Sequence, residues 1–142
     1  MKFFISCVLV IFCSSSAIGL LSHEAILSLQ RDQDDCVRES GVTRSTVEQA
    51  HLDRVIHNDE NMAKFAACML KKFNVMSDDG KINEDVYSYH LISDNPAMFE
   101  TAEKCKKRTG SDVDETASKI MTCFLNSDVF VLDPYIGVHK RA

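Results

Sequence analysis

The sequence has little that indicates β-structure and none of the common signatures of catalysis. Runs of alternating apolar and polar residues are nearly absent, and no internal repeat or long linker separates the segments. It contains no G-x-S-x-G, H-E-x-x-H or P-loop motif, so a hydrolase, a zinc peptidase or a nucleotidase is not indicated. Its five histidines are scattered through the chain. We therefore expect a protein that is not an enzyme.

An excess of basic residues is also missing. The 142 residues include 16 Lys and Arg against 21 Asp and Glu, a net charge of −5. Nucleic acids and anionic membranes attract basic proteins, so neither is an expected partner. No N-x-Ser/Thr sequon occurs, and N-glycosylation is not expected.

One long apolar run is present, at the N-terminus. It extends from Phe3 to Cys13 after a single lysine, and the small residues Ala17 and Gly19 follow it. This pattern predicts a secretory signal peptide over 1–19, too short to span a membrane. We expect a secreted, soluble mature protein with one domain over 20–142, in which 128–142 is a C-terminal tail.

The cysteine count changes when this segment is removed. Cys7 and Cys13 leave with the signal peptide, whereas four cysteines remain: Cys36, Cys68, Cys105 and Cys123. In an oxidising compartment four cysteines favour two disulfides, and their spacing alone allows three pairings. None of them forms a C-x-x-C pair, so a zinc site is not indicated.

Helix signals recur along the mature chain, which predicts an all-α domain of about six short helices. The first runs from Ser22 to about Glu39, ends at Gly41, and has the polar Gln33 within its apolar side. The second helix begins at Ser45, the N-cap of a capping box, and the third begins at Asp59. The fourth runs from Asn83 to about Leu91, and the fifth from Asn95, before Pro96, to about Arg108. The sixth begins at Asp112.

The third of these helices has the clearest pattern. Over 59–73 its apolar residues recur at the spacing of one buried helix face: Met62, Phe65, Ala66, Met69, Leu70 and Phe73. Met and Phe are frequent in the chain and Trp is absent. Because methionine adapts to irregular spaces, these residues fit a solid core or the wall of a cavity, and composition does not choose between the two.

An acidic turn after the third helix, "SDDG" at 77–80, partly resembles a calcium loop. If Gly80 were the sixth position of an EF-hand loop, the first and twelfth positions would be Val75 and Val86. Both are aliphatic where oxygen ligands are required. We therefore interpret the stretch as a turn between two helices, with no metal and no cofactor.

The whole mature chain resembles a known family, and two stretches carry the most specific part of the resemblance. "CMLKKFNVMSDDGKIN" (68–83) and "DETASKIMTCF" (114–124) are similar to the third-helix end and the last helix of insect odorant-binding proteins, the general and pheromone-binding superfamily. The resemblance implies six helices around an apolar cavity.

The family usually has two further cysteines, at the positions that Lys64 and Asp114 occupy here. Since these two cysteines pair with each other in the family, the chain resembles its four-cysteine "Minus-C" subclass. The resemblance implies the disulfides Cys36–Cys68 and Cys105–Cys123. It also suggests the hypothesis that Lys64 and Asp114 form an ion pair in place of the missing disulfide, although Asp114 could instead favour the helix N-terminus.

The resemblance implies a secreted carrier that binds odorants, pheromones or similar molecules and delivers them to an olfactory receptor. Its expected setting is sensillar lymph or another body fluid, as a monomer or weak homodimer. The implied lining comprises Leu29, Ala66, Leu70, Val75, Met76, Phe99, Ala102, Ile120 and Phe124, with Phe130 to Leu132 closing one mouth.

Some features of this function stay open. Hydroxyl groups that could orient a ligand belong to Tyr87, Tyr89 and Tyr135, and a pH effect on release would involve His90 or His139. The alternatives are a lipid or hormone carrier of haemolymph or reproductive fluid, and a solidly packed secreted signalling protein that acts by protein contact.

Overall fold

The computed structural model describes residues 23–85 and 96–127, and these residues form five α-helices. They are α1 His23–Ser40, α2 Arg44–Asp53, α3 Glu60–Lys72, α4 Pro96–Cys105 and α5 Val113–Leu125. Within the described ranges the only β-pairing is an isolated antiparallel bridge between Met76 and Ile82. The all-α class is confirmed. The signal peptide, the cap Asn95, most of the predicted helix 83–91 and the tail lie outside the described residues.

Side-chain caps set the starts of three helices. Asp59 accepts a hydrogen bond from the Met62 amide at the start of α3, and Asp112 accepts one from the Glu115 amide at the start of α5. Both starts match the sequence prediction. The cap predicted for α2 is wrong: Thr43, not Ser45, has the extended backbone of an N-cap, and its hydroxyl accepts from the Thr46 amide.

The chain leaves three helices through a left-handed residue, and after α2 this residue is Arg54 with φ 55°. Gly41 ends α1 with φ 74°, as predicted, and its amide donates to the Val37 carbonyl. Asn74 has φ 57° just after α3. This conformation turns the chain back, and the amides of Val75 and Met76 then donate to the Leu70 carbonyl.

The "SDDG" stretch forms a tight turn rather than a direct entry into another helix. The Ser77 amide donates to the Lys81 carbonyl at 2.7 Å, and Gly80 takes φ 84°. Asn83 is not seen as a helix cap, which corrects the prediction. Its side-chain amide donates to the Asn74 carbonyl at 2.7 Å and so ties the turn to the end of α3.

Helix α3 is the centre of the domain, with α1 and α5 packed against it and α4 packed against α5. All six apolar residues of its predicted face are buried, and Ala63 and Ala67 are buried as well. A helix that contacts two neighbours buries more than one face, which explains why burial extends beyond the predicted stripe.

Two disulfides join neighbouring helices. Cys36–Cys68 connects α1 to α3 with a Cα–Cα distance of 5.6 Å, and Cys105–Cys123 connects α4 to α5 at 5.5 Å. The pairing that the resemblance implied is therefore confirmed.

Hydrogen bonds from α5 hold the connection between α2 and α3. The Ile56 amide donates to the Thr122 hydroxyl at 3.0 Å, and the Asn126 side-chain amide donates to the Arg54 carbonyl at 2.9 Å. Because these bonds join residues more than 60 positions apart, they fix the loop that enters α3 against the last described helix.

Candidate functional site

The predicted lining residues in the described ranges come together in one apolar cluster between α1, α3, α4 and α5. Eight of them are at most 2% exposed: Leu29, Ala66, Leu70, Val75, Met76, Ala102, Ile120 and Phe124. Phe99 is partly buried and packs against the same cluster. Burial is what a solid core and a cavity wall both require, so contact with a ligand stays a prediction for all nine.

Local structure explains how two residues outside any helix reach this cluster. Val75 and Met76 follow the left-handed Asn74, and their amides are bonded to the Leu70 carbonyl on the last turn of α3. The backbone therefore returns over the helix end and places both side chains in the interior, where they are at most 1% exposed.

Two phenylalanines bring the end of α3 and the last turn of α5 together. The ring centroids of Phe73 and Phe124 lie 6.2 Å apart, with the ring planes tilted by 45°. This distance lies within the range of favourable aromatic pairs. Both side chains are fully buried, so the pair joins α3 and α5 within the cluster.

Methionines fill much of the remaining interior. Five of them are at most 1% exposed, namely Met62, Met69, Met76, Met98 and Met121. Their unbranched side chains can change rotamer at low cost, and an interior rich in them adapts its shape more easily than one of β-branched residues. The cluster therefore has the chemistry of an apolar, adaptable site.

Three of the buried residues in the described ranges are polar, Gln33, Ser40 and Thr116, and Gln33 is the most deeply buried. Gln33 lies on α1 between Leu29 and Cys36 and is 4% exposed. Its Nε2 atom is the only buried side-chain nitrogen or oxygen in the described ranges that has no hydrogen-bond partner. The sequence shows a polar residue on an apolar helix side, but only the packing reveals that its amide is left unpaired.

The predicted ion pair between Lys64 and Asp114 is replaced by another contact. Lys64 Nζ lies 2.7 Å from Glu60 Oε1, one turn away on α3, and no direct bond to Asp114 is present among the described residues. The hydrogen bond from Lys64 to Glu60 raises the pKa of Lys64, with a smaller contribution from the Asp114 charge. Lys64 and Asp114 nevertheless line one surface cavity.

That cavity and a larger one include few members of the apolar cluster, Ala67 in the smaller and Ile56 and Cys105 in the larger. The smaller, of about 500 Å³, lies between α1, α3 and the start of α5 and is lined mostly by polar residues. The larger, of about 900 Å³, is an open groove between α4, α5 and residues 55–56, with a cationic rim formed by Lys104, Lys107, Arg108 and Lys119. Neither cavity is lined by any of the residues predicted to contact a ligand.

A capping arrangement at the start of α5 contains the most perturbed carboxylate of the described residues. Glu115 Oε2 accepts hydrogen bonds from the Ser111 amide at 2.6 Å and the Ser111 hydroxyl at 2.5 Å, and Lys119 pairs with the other oxygen. These bonds favour the ionised form and lower the pKa of Glu115 to about 2. Their role is to fix the start of the helix.

Sequence reasoning also missed a histidine–carboxylate contact. His57 Nε2 lies 2.6 Å from Asp53 Oδ2 at the end of α2, and the hydrogen bond lowers the pKa of Asp53. Both side chains are exposed. His57 lies in the loop after α2, beyond the left-handed Arg54, so helical spacing gave no signal for this contact.

Two other features are absent from the part of the chain that the structure describes. In 23–85 and 96–127 no group of three or more His, Cys, Asp and Glu side chains could hold a metal ion. None of the five helices combines the length and apolar character needed to cross a membrane. The predicted tail contacts of Phe130 and Leu132, the tyrosines Tyr87, Tyr89 and Tyr135, and His90 and His139 lie outside the described residues.

A comparison with protein families places these observations in context. A family model described as the PBP/GOBP family matches residues 20–127, which is more than half of the chain and includes all five helices and both disulfides. The chain belongs to the PBP/GOBP family. Members of this odorant-binding family are secreted carriers of small hydrophobic molecules and not enzymes. Comparison with curated proteins and with solved structures gave no match.

Proposed function

We propose that this PBP/GOBP protein carries a small hydrophobic molecule within the apolar cluster enclosed by α1, α3, α4 and α5. The family match over residues 20–127 is the observation that carries the proposal. The cluster supports it because the described residues expected to line the site by family resemblance are all buried or partly buried there.

The energetics of such a site suit a reversible carrier. Removal of apolar surface from water contributes about 25 cal/mol per Å², so a ligand that buries about 300 Å² gains about 7 kcal/mol before the costs of association. Because the costs of association reduce this gain, binding from apolar burial alone is expected to be micromolar or weaker. A reversible carrier needs binding of this strength, because a ligand that is held much more tightly is not released.

The two disulfides suit this role mechanically. Each joins a pair of helices that contribute to the cluster, α1 with α3 and α4 with α5. They would hold the walls at fixed separation while the methionine side chains adapt to the ligand.

The proposal includes a class of ligand and a setting. We propose that the ligands are odorants, pheromones or similar semiochemicals, delivered in sensillar lymph or another body fluid to an olfactory receptor. We also propose a four-cysteine subclass and a mature chain that begins at Leu20. Mass spectrometry of the secreted protein tests the last two points, since it should show loss of 1–19 and two disulfides with no free thiol.

A fluorescence competition experiment tests the function. The oxidised mature protein is titrated with N-phenyl-1-naphthylamine, whose emission rises in an apolar environment, and the bound probe is then displaced with volatile alcohols, esters and ketones. We expect saturable uptake at a stoichiometry near one and displacement at micromolar concentrations. Absence of uptake by the folded protein would instead support a solidly packed protein that acts through protein contacts.

A further inference from the structure

The unpaired amide of Gln33 is the strongest departure from ordinary packing in the described part of the chain. Buried polar groups in proteins almost always have a hydrogen-bond partner, because desolvation without a partner is unfavourable. Gln33 is 4% exposed, and its Nε2 atom has no partner in the structure. A buried donor that is retained without a partner requires an explanation.

The position of Gln33 on α1 places it at the apolar cluster. It follows Leu29 by four residues and precedes Cys36 by three, so the three side chains lie on the same helix face. Leu29 is 2% exposed and Cys36 is fully buried in the disulfide to α3. The amide therefore lies on the side of α1 that faces α3, next to a residue expected to line the site.

We propose that Gln33 Nε2 donates a hydrogen bond to an oxygen atom of the bound ligand. The inference rests on the proposed carrier function and narrows it. An N–H donor selects molecules with an acceptor oxygen, such as ketones, esters, aldehydes or alcohols, over hydrocarbons of the same size. Gln33 is then the residue that orients a mainly apolar molecule among side chains that provide no direction.

The chemistry distinguishes this role from a structural one. An amide that is bonded within the protein stabilises the fold, and its loss lowers the temperature of unfolding. An amide whose partner is a ligand is unpaired in the unliganded protein, and its desolvation then lowers the stability of the fold. Replacement of the unpaired amide with an apolar side chain of similar size therefore preserves or raises the stability of the unliganded protein.

The test uses two competitors with equal numbers of heavy atoms, 2-dodecanone and tridecane, against bound N-phenyl-1-naphthylamine. Each competitor is measured on the oxidised wild-type protein and on Gln33→Leu. We expect Gln33→Leu to reduce the ratio of ketone to alkane affinity by about fivefold, as loss of one hydrogen bond predicts. We expect its unfolding temperature without ligand to be equal to or above that of the wild type.

Two further variants make the result specific. Gln30→Leu makes the same change on α1 at a position that is only partly buried, and it should leave the affinity ratio unchanged. Gln33→Met replaces Gln33→Leu if circular dichroism shows that the leucine variant is not folded. The inference is overturned if Gln33→Leu keeps the wild-type ratio, if Gln30→Leu lowers the ratio equally, or if Gln33→Leu unfolds at a lower temperature.

The same experiment separates this inference from the proposed function. If the wild-type protein takes up no probe, the carrier function itself fails. If it takes up the probe but Gln33→Leu keeps the wild-type ratio of ketone to alkane affinity, the carrier function stands and the role of Gln33 is wrong.

Discussion

Gly80 lies directly against Val113, so the turn after α3 contacts the first residue of α5. A Cβ atom on Gly80 would lie 2.7 Å from Val113 Cγ2 and 3.0 Å from Val113 Cγ1, closer than non-bonded carbon atoms approach. The backbone of Gly80 also has φ 84°, which L-residues with a side chain rarely adopt. The turn is therefore held in place by a contact that requires glycine for two separate reasons.

Substitution of Gly80 should cost more than substitution of Gly41. Gly41→Ala introduces a side chain at φ 74° with no atom closer than 3.8 Å, so only backbone strain of about 1 kcal/mol is expected. Gly80→Ala adds the contact with Val113, and we expect a loss of about 2–3 kcal/mol in urea unfolding.

A double-mutant cycle identifies the origin of the difference. Val113→Ala shortens the side chain that Gly80→Ala meets, so the double variant should recover the part of the loss caused by the contact. Equal losses of unfolding free energy for Gly80→Ala and Gly41→Ala would show that close contact with Val113 does not contribute to the cost.

Glu115 gives the fold an acid-sensitive component. Because its pKa is lowered to about 2 in the folded state, it stabilises the fold fully above the ordinary glutamate pKa of about 4.5. That contribution should be lost as the pH falls from about 4.5 to about 2. We expect the difference in unfolding temperature between the wild type and Glu115→Gln to narrow over this range.

A charge-matched control accompanies that measurement. Glu100→Gln removes the same charge from an exposed position on α4. A difference between the wild type and Glu115→Gln that stays constant from pH 6 to pH 2.5 would mean that the bonds from Ser111 do not favour the ionised carboxylate.

The two disulfides should contribute unequally to stability. Cys36 and Cys68 are separated by 32 residues, and Cys105 and Cys123 by 18. In the chain-entropy model each disulfide contributes roughly 3–4 kcal/mol to the free energy of unfolding. The disulfide that closes the longer loop contributes about 0.5 kcal/mol more.

Paired replacement by alanine measures this difference without leaving a free thiol. Urea unfolding of Cys36→Ala/Cys68→Ala should show a larger loss than that of Cys105→Ala/Cys123→Ala. The opposite order would mean that packing around the sulfur atoms, and not the unfolded chain, determines the contribution.

Ala102 can distinguish a cavity wall from a solid core. It is fully buried on α4 and is one of the residues expected to line the site. If free space lies beside it, Ala102→Leu should fold with less than about 1 kcal/mol change in stability and bind the probe at least about tenfold more weakly. In a solid core the same change would overpack the interior and cost about 1–3 kcal/mol.

The matched control for that variant is Ala97→Leu, the same substitution at an exposed position on α4. It should change neither the unfolding free energy nor probe affinity. A destabilised Ala102→Leu protein with unchanged probe binding would place the site elsewhere.

The sequence predicted α3 well because its signals are local. A carboxylate at the N-cap and apolar residues at helical spacing define one face whatever surrounds it, and Met62, Phe65 and Leu70 are indeed buried. The pairing of four cysteines could not be chosen from spacing. It followed from the resemblance, and the structure bears it out.

The errors arose where two interactions of similar strength compete. Asn83 has the chemistry of a helix cap, but the carbonyl of Asn74 is within reach because Asn74 takes a left-handed conformation. The charge of Lys64 is opposite to that of Asp114, as an ion pair requires. Glu60, however, lies one turn away on the same helix, so Lys64 reaches it without any contact between helices. The unpaired state of Gln33 depends on packing and has no local signal.

The most direct test of the carrier function is equilibrium titration of the oxidised mature protein with N-phenyl-1-naphthylamine, compared with the same protein unfolded and reduced. We expect saturable binding near one probe per chain by the oxidised protein, no saturable binding by the reduced chain, and weakened binding by Ala102→Leu. Circular dichroism that shows a folded helical protein together with no saturable probe binding would contradict the carrier function.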